Sequence, residues 1–324
     1  MTKFMALLLI LIFSSFVLPS AVAYGDSPTG QLDQDKLKDI LHKTGEYCAR
    51  VERISLYFIC IEEIEEKIFS PFRNLEFPAI SWKLEENKYI YDYQLIRKGE
   101  IEESRILLKE NGKVQNLKGA PLKTKRFIYR NMIFGPIGIF GFEAQDKCQY
   151  SIEKETKLWD IPVIVIRAVP AVKGEASSLY GRAWVDKANG SFLKAEWEQE
   201  SVINYSAMQE FAKANNARAG LKQASEYRYE KNGIRFPSEF SVAEDYYQNR
   251  AVGGGRRVIT KSLLNVKYKD YKFFIVETET GLKKLSFILD KAVLRPNDYY
   301  ATFREPFGMF FSMNRVKQDK QKGE

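Results

Sequence analysis

Histidine is nearly absent from this chain, and cysteine is sparse. His42 is the one histidine among 324 residues, beside three cysteines, Cys48, Cys60 and Cys148. A zinc site needs three or four nitrogen, sulfur or oxygen ligands, and none of these cysteines forms a C-x-x-C pair. No Gly-x-Ser-x-Gly elbow is present to supply a serine nucleophile. His42 falls in an amphipathic stretch and reads as a surface helix residue. No motif calls for a cofactor. Three cysteines permit one disulfide in an oxidising compartment. If residues 48–60 are helical, Cys48 and Cys60 stand ~18 Å apart, too far to bond. A pair using Cys148 and three unpaired thiols both stay open.

Long apolar runs are missing beyond the first residues. Lys3 precedes an apolar stretch from Phe4 to Leu18, broken only by Ser14 and Ser15. At about 15 residues it is short for a membrane span of ~20. Ala21-Val22-Ala23 places small residues where a signal peptidase reads. The expectation is a signal peptide over 1–23, cleaved after Ala23, with an uncleaved anchor as the alternative. No cysteine follows at a lipoprotein position. The mature chain is thus expected to be periplasmic or extracellular, without a transmembrane segment. Residues 132–142 are apolar but short and Gly-rich, fitting a buried turn or pocket lining.

Blocks of one charge sign are also lacking. The net charge is +8, and Lys and Arg are spread among Asp and Glu. Basic charge favours anionic partners, here a lipid or envelope surface rather than nucleic acid. An ordinary solvated surface explains an even spread equally well.

Aromatic residues are plentiful: 22 Phe, 18 Tyr and 4 Trp. Residues 24–34 are small and polar and read as a flexible leader. Leu37, Ile40, Leu41, Tyr47, Cys48, Val51 and Ile54 recur at three- and four-residue steps, predicting a helix over roughly 35–56. It either runs on through Ile61 and Ile64 or becomes a strand near Tyr57. The acidic run Glu62, Glu63, Glu65, Glu66 reads as a solvated face.

From about residue 80 the texture is that of strands. Tyr89–Ile96 and Ser104–Lys109 precede an Asn111-Gly112 turn. Strands follow at 147–154 and 163–169. Residues 180–186 and 192–200 make a hairpin through Asn189-Gly190. Residues 204–220 read as a loop with a helical turn. Two strands flank Lys231-Asn232-Gly233, and further strands cover 258–268 and 271–277. About nine or ten antiparallel strands in sequential hairpins favour a meander. The fold class is α+β, mainly β: a curved antiparallel sheet forming an unclosed barrel, with an N-terminal helix packed on it. One β-rich domain spans 35–281, and 282–324 form a partly disordered extension.

Three features carry a resemblance: the Gly181-Arg182-x-Trp184-Val185-Asp186 hairpin closing at Gly190, the Asn232-Gly233-Ile234-Arg235-Phe236-Pro237 turn, and the closing strand Tyr271 to Val276. In outline, residues 85–280 resemble uncharacterised exported bacterial proteins. More distantly they are similar to the outer-membrane lipoprotein-sorting carriers. That resemblance implies an unclosed antiparallel barrel around an apolar cavity closed by helices, and no catalytic residues.

Large aromatics on strands either fill a concavity or line a ligand cavity. The candidate ligand-binding set is Trp82, Tyr91, Tyr93, Trp184, Trp197, Phe236 and Phe274. The leading expectation is a non-enzymatic envelope protein that binds lipid or lipoprotein acyl chains. A second is an assembly protein docking an envelope partner through its sheet and aromatic tail. A third is a secreted hydrolase using a carboxylate pair drawn from residues such as Glu196, Glu198, Glu239 and Glu244. The Gly253-Gly254-Gly255-Arg256-Arg257 stretch reads as a hairpin loop rather than a phosphate cradle.

Overall fold

The computed structural model describes residues 28–73, 80–98, 100–172, 179–249, 256–276 and 300–303. The expected signal peptide, the Gly253–Gly255 loop and most of the C-terminal extension lie outside them. Helix α1 (Pro28–Arg53) starts earlier than its hydrophobic period predicts. Proline suits a first helical turn, where its missing N–H would have no helical acceptor. Ile40, Thr44, Tyr47, Cys48 and Val51 form its buried stripe. Thr44 fits there because its hydroxyl donates to the Ile40 carbonyl at 2.6 Å.

The strands, in chain order, are β1 (Leu56–Arg73), β2 (Ile80–Lys98), β3 (Glu100–Glu110), β4 (Lys113–Lys118), β5 (Phe127–Arg130), β6 (Cys148–Leu158), β7 (Ile161–Pro170), β8 (Gly181–Asp186), β9 (Phe192–Trp197), β10 (Ala217–Glu226), β11 (Tyr229–Lys231), β12 (Ile234–Phe236), β13 (Glu239–Asn249), β14 (Arg256–Val276) and β15 (Tyr300–Phe303). Eleven of them form one open sheet, ordered β4-β3-β2-β1-β14-β13-β10-β9-β8-β7-β6. Both arms are meanders. They join where β1 pairs antiparallel with β14, from Leu56 opposite Val276 to Ile68 opposite Ser262. The fold is therefore a mostly β, unclosed antiparallel sheet with α1 packed on it.

Asparagine–glycine turns set the hairpins. Asn111 and Gly112 have φ of 48° and 83°, and Asn232 and Gly233 have 53° and 74°. Two successive positive φ angles match the right-handed strand twist. Gly190, at φ 72°, also lies against α1, where an added Cβ would stand 2.4 Å from the Lys43 carbonyl carbon.

Several expectations are corrected. The described residues hold fifteen strands rather than nine or ten: β1, β4, β5 and β15 add to the sequence pattern, and the β11–β12 ribbon splits off what that pattern merges with its neighbours. Residues 258–268 and 271–277 are not two strands, since β14 runs unbroken through Asp270 at φ 56°. Residues 204–220 hold a helix, α4 (Tyr205–Ala214), followed directly by β10. The acidic run is not a solvated face. It lies in β1, where successive side chains point to opposite faces, and Glu62 and Glu66 are fully buried. All three cysteines are free, Cys48 and Cys60 buried.

One face of the sheet carries the core. Its inner rows include Leu56, Phe58, Cys60 and Ile64 on β1, then Tyr89, Tyr91, Tyr93 and Leu95 on β2. Phe240 and Val242 on β13 and Leu264, Val266 and Tyr268 on β14 continue them. A cover lies over this core: α1, a strap over 119–131, the 3-10 turn Met132–Phe134, and the short helices α2 (Ile137–Phe140) and α3 (Phe142–Gln145). The apolar run 132–142 thus supplies buried turns, with Met132, Ile133, Phe134, Ile137, Ile139 and Phe140 all buried.

Candidate functional site

The inner face is aromatic at its centre. Phe58 meets Phe236 edge-on at 5.3 Å and lies 5.4 Å from Tyr271. Phe236 and Phe273 are 4.7 Å apart. Strand alternation brings these rings together from β1, β12 and β14, and offset or edge-on rings pack better than face-to-face ones. The cover adds Phe140 and Tyr47, each against Phe192 on β9, at 5.3 and 5.5 Å.

Polar bonds fasten this cover to the sheet. Arg97 on β2 donates to the Val51 carbonyl at 2.7 Å. That carbonyl lies in the last turn of α1, where no helical donor remains and a cation is favoured. The Arg235 amide donates to the Tyr47 hydroxyl at 3.1 Å, and the Tyr227 hydroxyl donates to the Met132 carbonyl at 3.0 Å. The strap is held the same way. Tyr91 donates to Pro121 O and accepts from the Lys123 amide. The Glu66 carboxylate accepts the Lys125 and Arg126 amides at 2.8 and 2.7 Å. Burial raises the Glu66 pKa, and those two amides oppose the rise.

Two buried ion pairs complete the arrangement. Arg105 grips Glu62 through Nε at 2.7 Å and a terminal nitrogen at 3.1 Å, while the Tyr129 hydroxyl donates to Glu62. Arg126 from the strap grips Glu244 at 2.8 and 2.6 Å, and Glu244 also accepts from Tyr246 and Ser262. Bidentate pairs with further donors on the carboxylate are the geometry in which buried charge is tolerated.

The candidate aromatics fall in three places. Tyr91, Tyr93, Trp197 and Phe236 are buried beneath the cover. Trp184 is half-buried on the opposite face, with the Lys194 ammonium 4.8 Å from its ring centre. Phe274 is 57% exposed and stacks on Tyr57 at 4.7 Å, away from the core. The Trp82 backbone lies in β2, and its side chain is outside the described residues.

A half-open trough of about 630 Å³ crosses β8, β9, β10, β13 and β14, with Trp197 and Gln223 among the residues along it. Ala224, Ser241 and Ala243 are small, with Arg182, Glu196 and Lys222 around them. Three of the four carboxylates proposed for a hydrolytic pair are held in ion pairs: Glu196 with Lys194 at 2.7 Å, Glu198 with Arg167 and Arg182, and Glu244 with Arg126. Sequence reasoning missed Arg97, Glu62, Glu66 and Glu244 as organising residues. The available signal was charge at inward positions of a strand whose neighbours are apolar, readable only once the strand period is fixed.

No helix among the described residues is long and apolar enough to cross a membrane. No protein-family model matches the sequence, and no curated protein matches it either. Solved structures do show a distant likeness. One is a domain assigned to an outer membrane lipoprotein-sorting protein of Vibrio parahaemolyticus, 12% identical, covering 79% of this chain and 98% of that one at a TM-score of 0.28. A second is a DUF1329 family protein from Desulfovibrio piger, 9% identical, covering 78% and 98% at 0.32. A third is a LolA superfamily protein from Nitrosomonas europaea, 13% identical, covering 76% and 96% at 0.27.

Proposed function

We propose that this chain is an exported, non-catalytic binding protein that takes an apolar ligand, such as a lipid or the acyl chains of a lipoprotein, between the sheet and its cover. The observation that carries the reading is the construction of the cover. It consists of one helix, a strap and three short turns laid over an aromatic sheet face, and defined polar latches fasten it. Arg97 to Val51, Arg235 to Tyr47 and Tyr227 to Met132 join the cover to the sheet, to the β12 ribbon and to the link between β10 and β11. Moving the cover off breaks these latches together with the strap's bonds to Tyr91, Glu66 and Glu244, and bares part of the aromatic inner face. An acyl chain re-covers that face at about 0.8 kcal/mol per buried CH₂. Affinity of this kind needs no catalytic group and no metal.

Native mass spectrometry of protein purified from its own envelope fraction, followed by organic extraction, tests the proposal. Near-stoichiometric co-purifying lipid is the expected result. A clean ligand-free mass that persists after incubation with envelope lipids would overturn it and favour an assembly role with a protein partner.

A further inference from the structure

Three hydrogen-bonding groups beneath the cover have no partner among the described residues: Trp197 Nε1, Gln223 Nε2 and Ser225 Oγ. The residues are 5%, 3% and 0% exposed. Trp197 on β9 is the register partner of Gln223 on β10, and Ser225 lies two residues further along β10, opposite Ala195. Residues two apart on a strand share a face, so the three side chains are neighbours on one patch. Trp197 runs beneath the cover, its Cζ2 3.2 Å from where a Gly135 side chain would begin.

Each buried polar group left without a partner costs about 1–3 kcal/mol, and native proteins keep few of them. Three on one patch mark a place built for an acceptor. The indole and the amide nitrogen only donate, and the hydroxyl is able to. The neighbours limit the acceptor's charge. Across β13, Gln223 faces Val242 and Ser225 faces Phe240. Across β8, Trp197 faces Gly181 and Ala195 faces Ala183. A buried anion demands a counter-charge, and these positions supply none. A neutral carbonyl demands only donors.

We infer that Trp197, Gln223 and Ser225 form the polar end of the ligand site and take the carbonyl oxygen of an acyl ester. The inference rests on the lipid-binding reading and adds to it the group that the protein recognises. Palmitoyl lysophosphatidylcholine and its hexadecyl ether analogue have the same chain length and head group, and differ at that carbonyl. Titration of the full chain with both, followed by intrinsic tryptophan fluorescence, tests the inference. The ester binds about ten-fold more tightly to the wild type, as one well-made buried hydrogen bond provides. Gln223→Leu brings the two lipids to within about two-fold by weakening the ester alone. Ser225→Ala, a smaller change that keeps the test alive if the first variant misfolds, narrows the gap by about three-fold. Equal binding of ester and ether to the wild type overturns the carbonyl assignment and leaves the lipid site standing. A gap that survives both substitutions overturns it too. If neither lipid binds, the lipid site itself falls.

Discussion

At the scale of single residues, two kinds of position fix this molecule. One is a buried carboxylate whose every oxygen has a donor, as at Glu66 and Glu244. The other is a glycine pressed against another element. Gly190 combines a φ of 72° with an approach to α1 that leaves no room for a methyl group, since a Cβ would fall 2.4 Å from Lys43 C and 2.5 Å from Lys43 O. Backbone atoms of a helix cannot swing aside as a side-chain tip can. Gly112 has a similar φ of 83° but nothing within 4 Å. The pair separates strain from collision. In urea unfolding, Gly112→Ala is expected to cost about 1 kcal/mol from the backbone conformation alone. Gly190→Ala is expected to cost about 2 kcal/mol or more, because the hairpin must also back away from α1. Equal costs would show that the contact between hairpin and helix contributes little.

At the scale of elements, the cover and the sheet are joined by side chains reaching between them. Arg97 is the clearest case, a buried guanidinium that closes the C-terminal end of α1 from the neighbouring strand. Arg97→Met keeps most of the packing volume and removes the donor. A hydrogen bond from a charged group contributes about 1.5–3 kcal/mol. Amide hydrogen exchange through Tyr47–Arg53 is expected to quicken, while the β13–β14 ladder stays protected. On the lipid-binding reading, association of ligand also quickens. Unchanged exchange over that turn would mean that Arg97 does not hold the helix down. Hairpins of this kind were legible from the chain alone because their chemistry is local. Asn111-Gly112 and Asn232-Gly233 announce positive φ at two adjacent positions. The pairing of β1 with β14 was not legible, since about 200 residues separate the partners and no turn announces it. The inward placing of Glu62 and Glu66 was hidden for the same reason. Their donors, Arg105, Tyr129, Lys125 and Arg126, lie 43 to 67 residues away. Of the candidate site, the aromatic strands could be read directly. Which of their rings face the cover depends on register, and Phe274 shows the result of that dependence.

At the scale of the whole molecule, the buried face is unusual in being phenolic as well as apolar. Tyr47, Tyr93, Tyr129, Tyr268 and Tyr271 have pKa values raised by burial, and burial pushes Tyr91 up to about 12. These residues come from α1, β2, β5 and β14, so their protonation reports on the cover and both arms of the sheet together. In the unfolded chain each phenol ionises near pH 10. Between that pH and the raised folded values, the unfolded state holds fewer protons than the folded one, and stability falls as pH rises. The stabilisation is therefore complete below about pH 10 and is lost as pH climbs through the folded values, about 12 for Tyr91. Spectrophotometric titration of tyrosinate should show two populations. One population appears early, reversibly and with the far-ultraviolet circular dichroism unchanged. The buried set ionises later, in one step that coincides with loss of the sheet signal. If all the tyrosines titrated near pH 10 with the sheet intact, water would reach the inner face freely. The cover would then stand open in the resting protein, and a ligand would meet no latch on its way in.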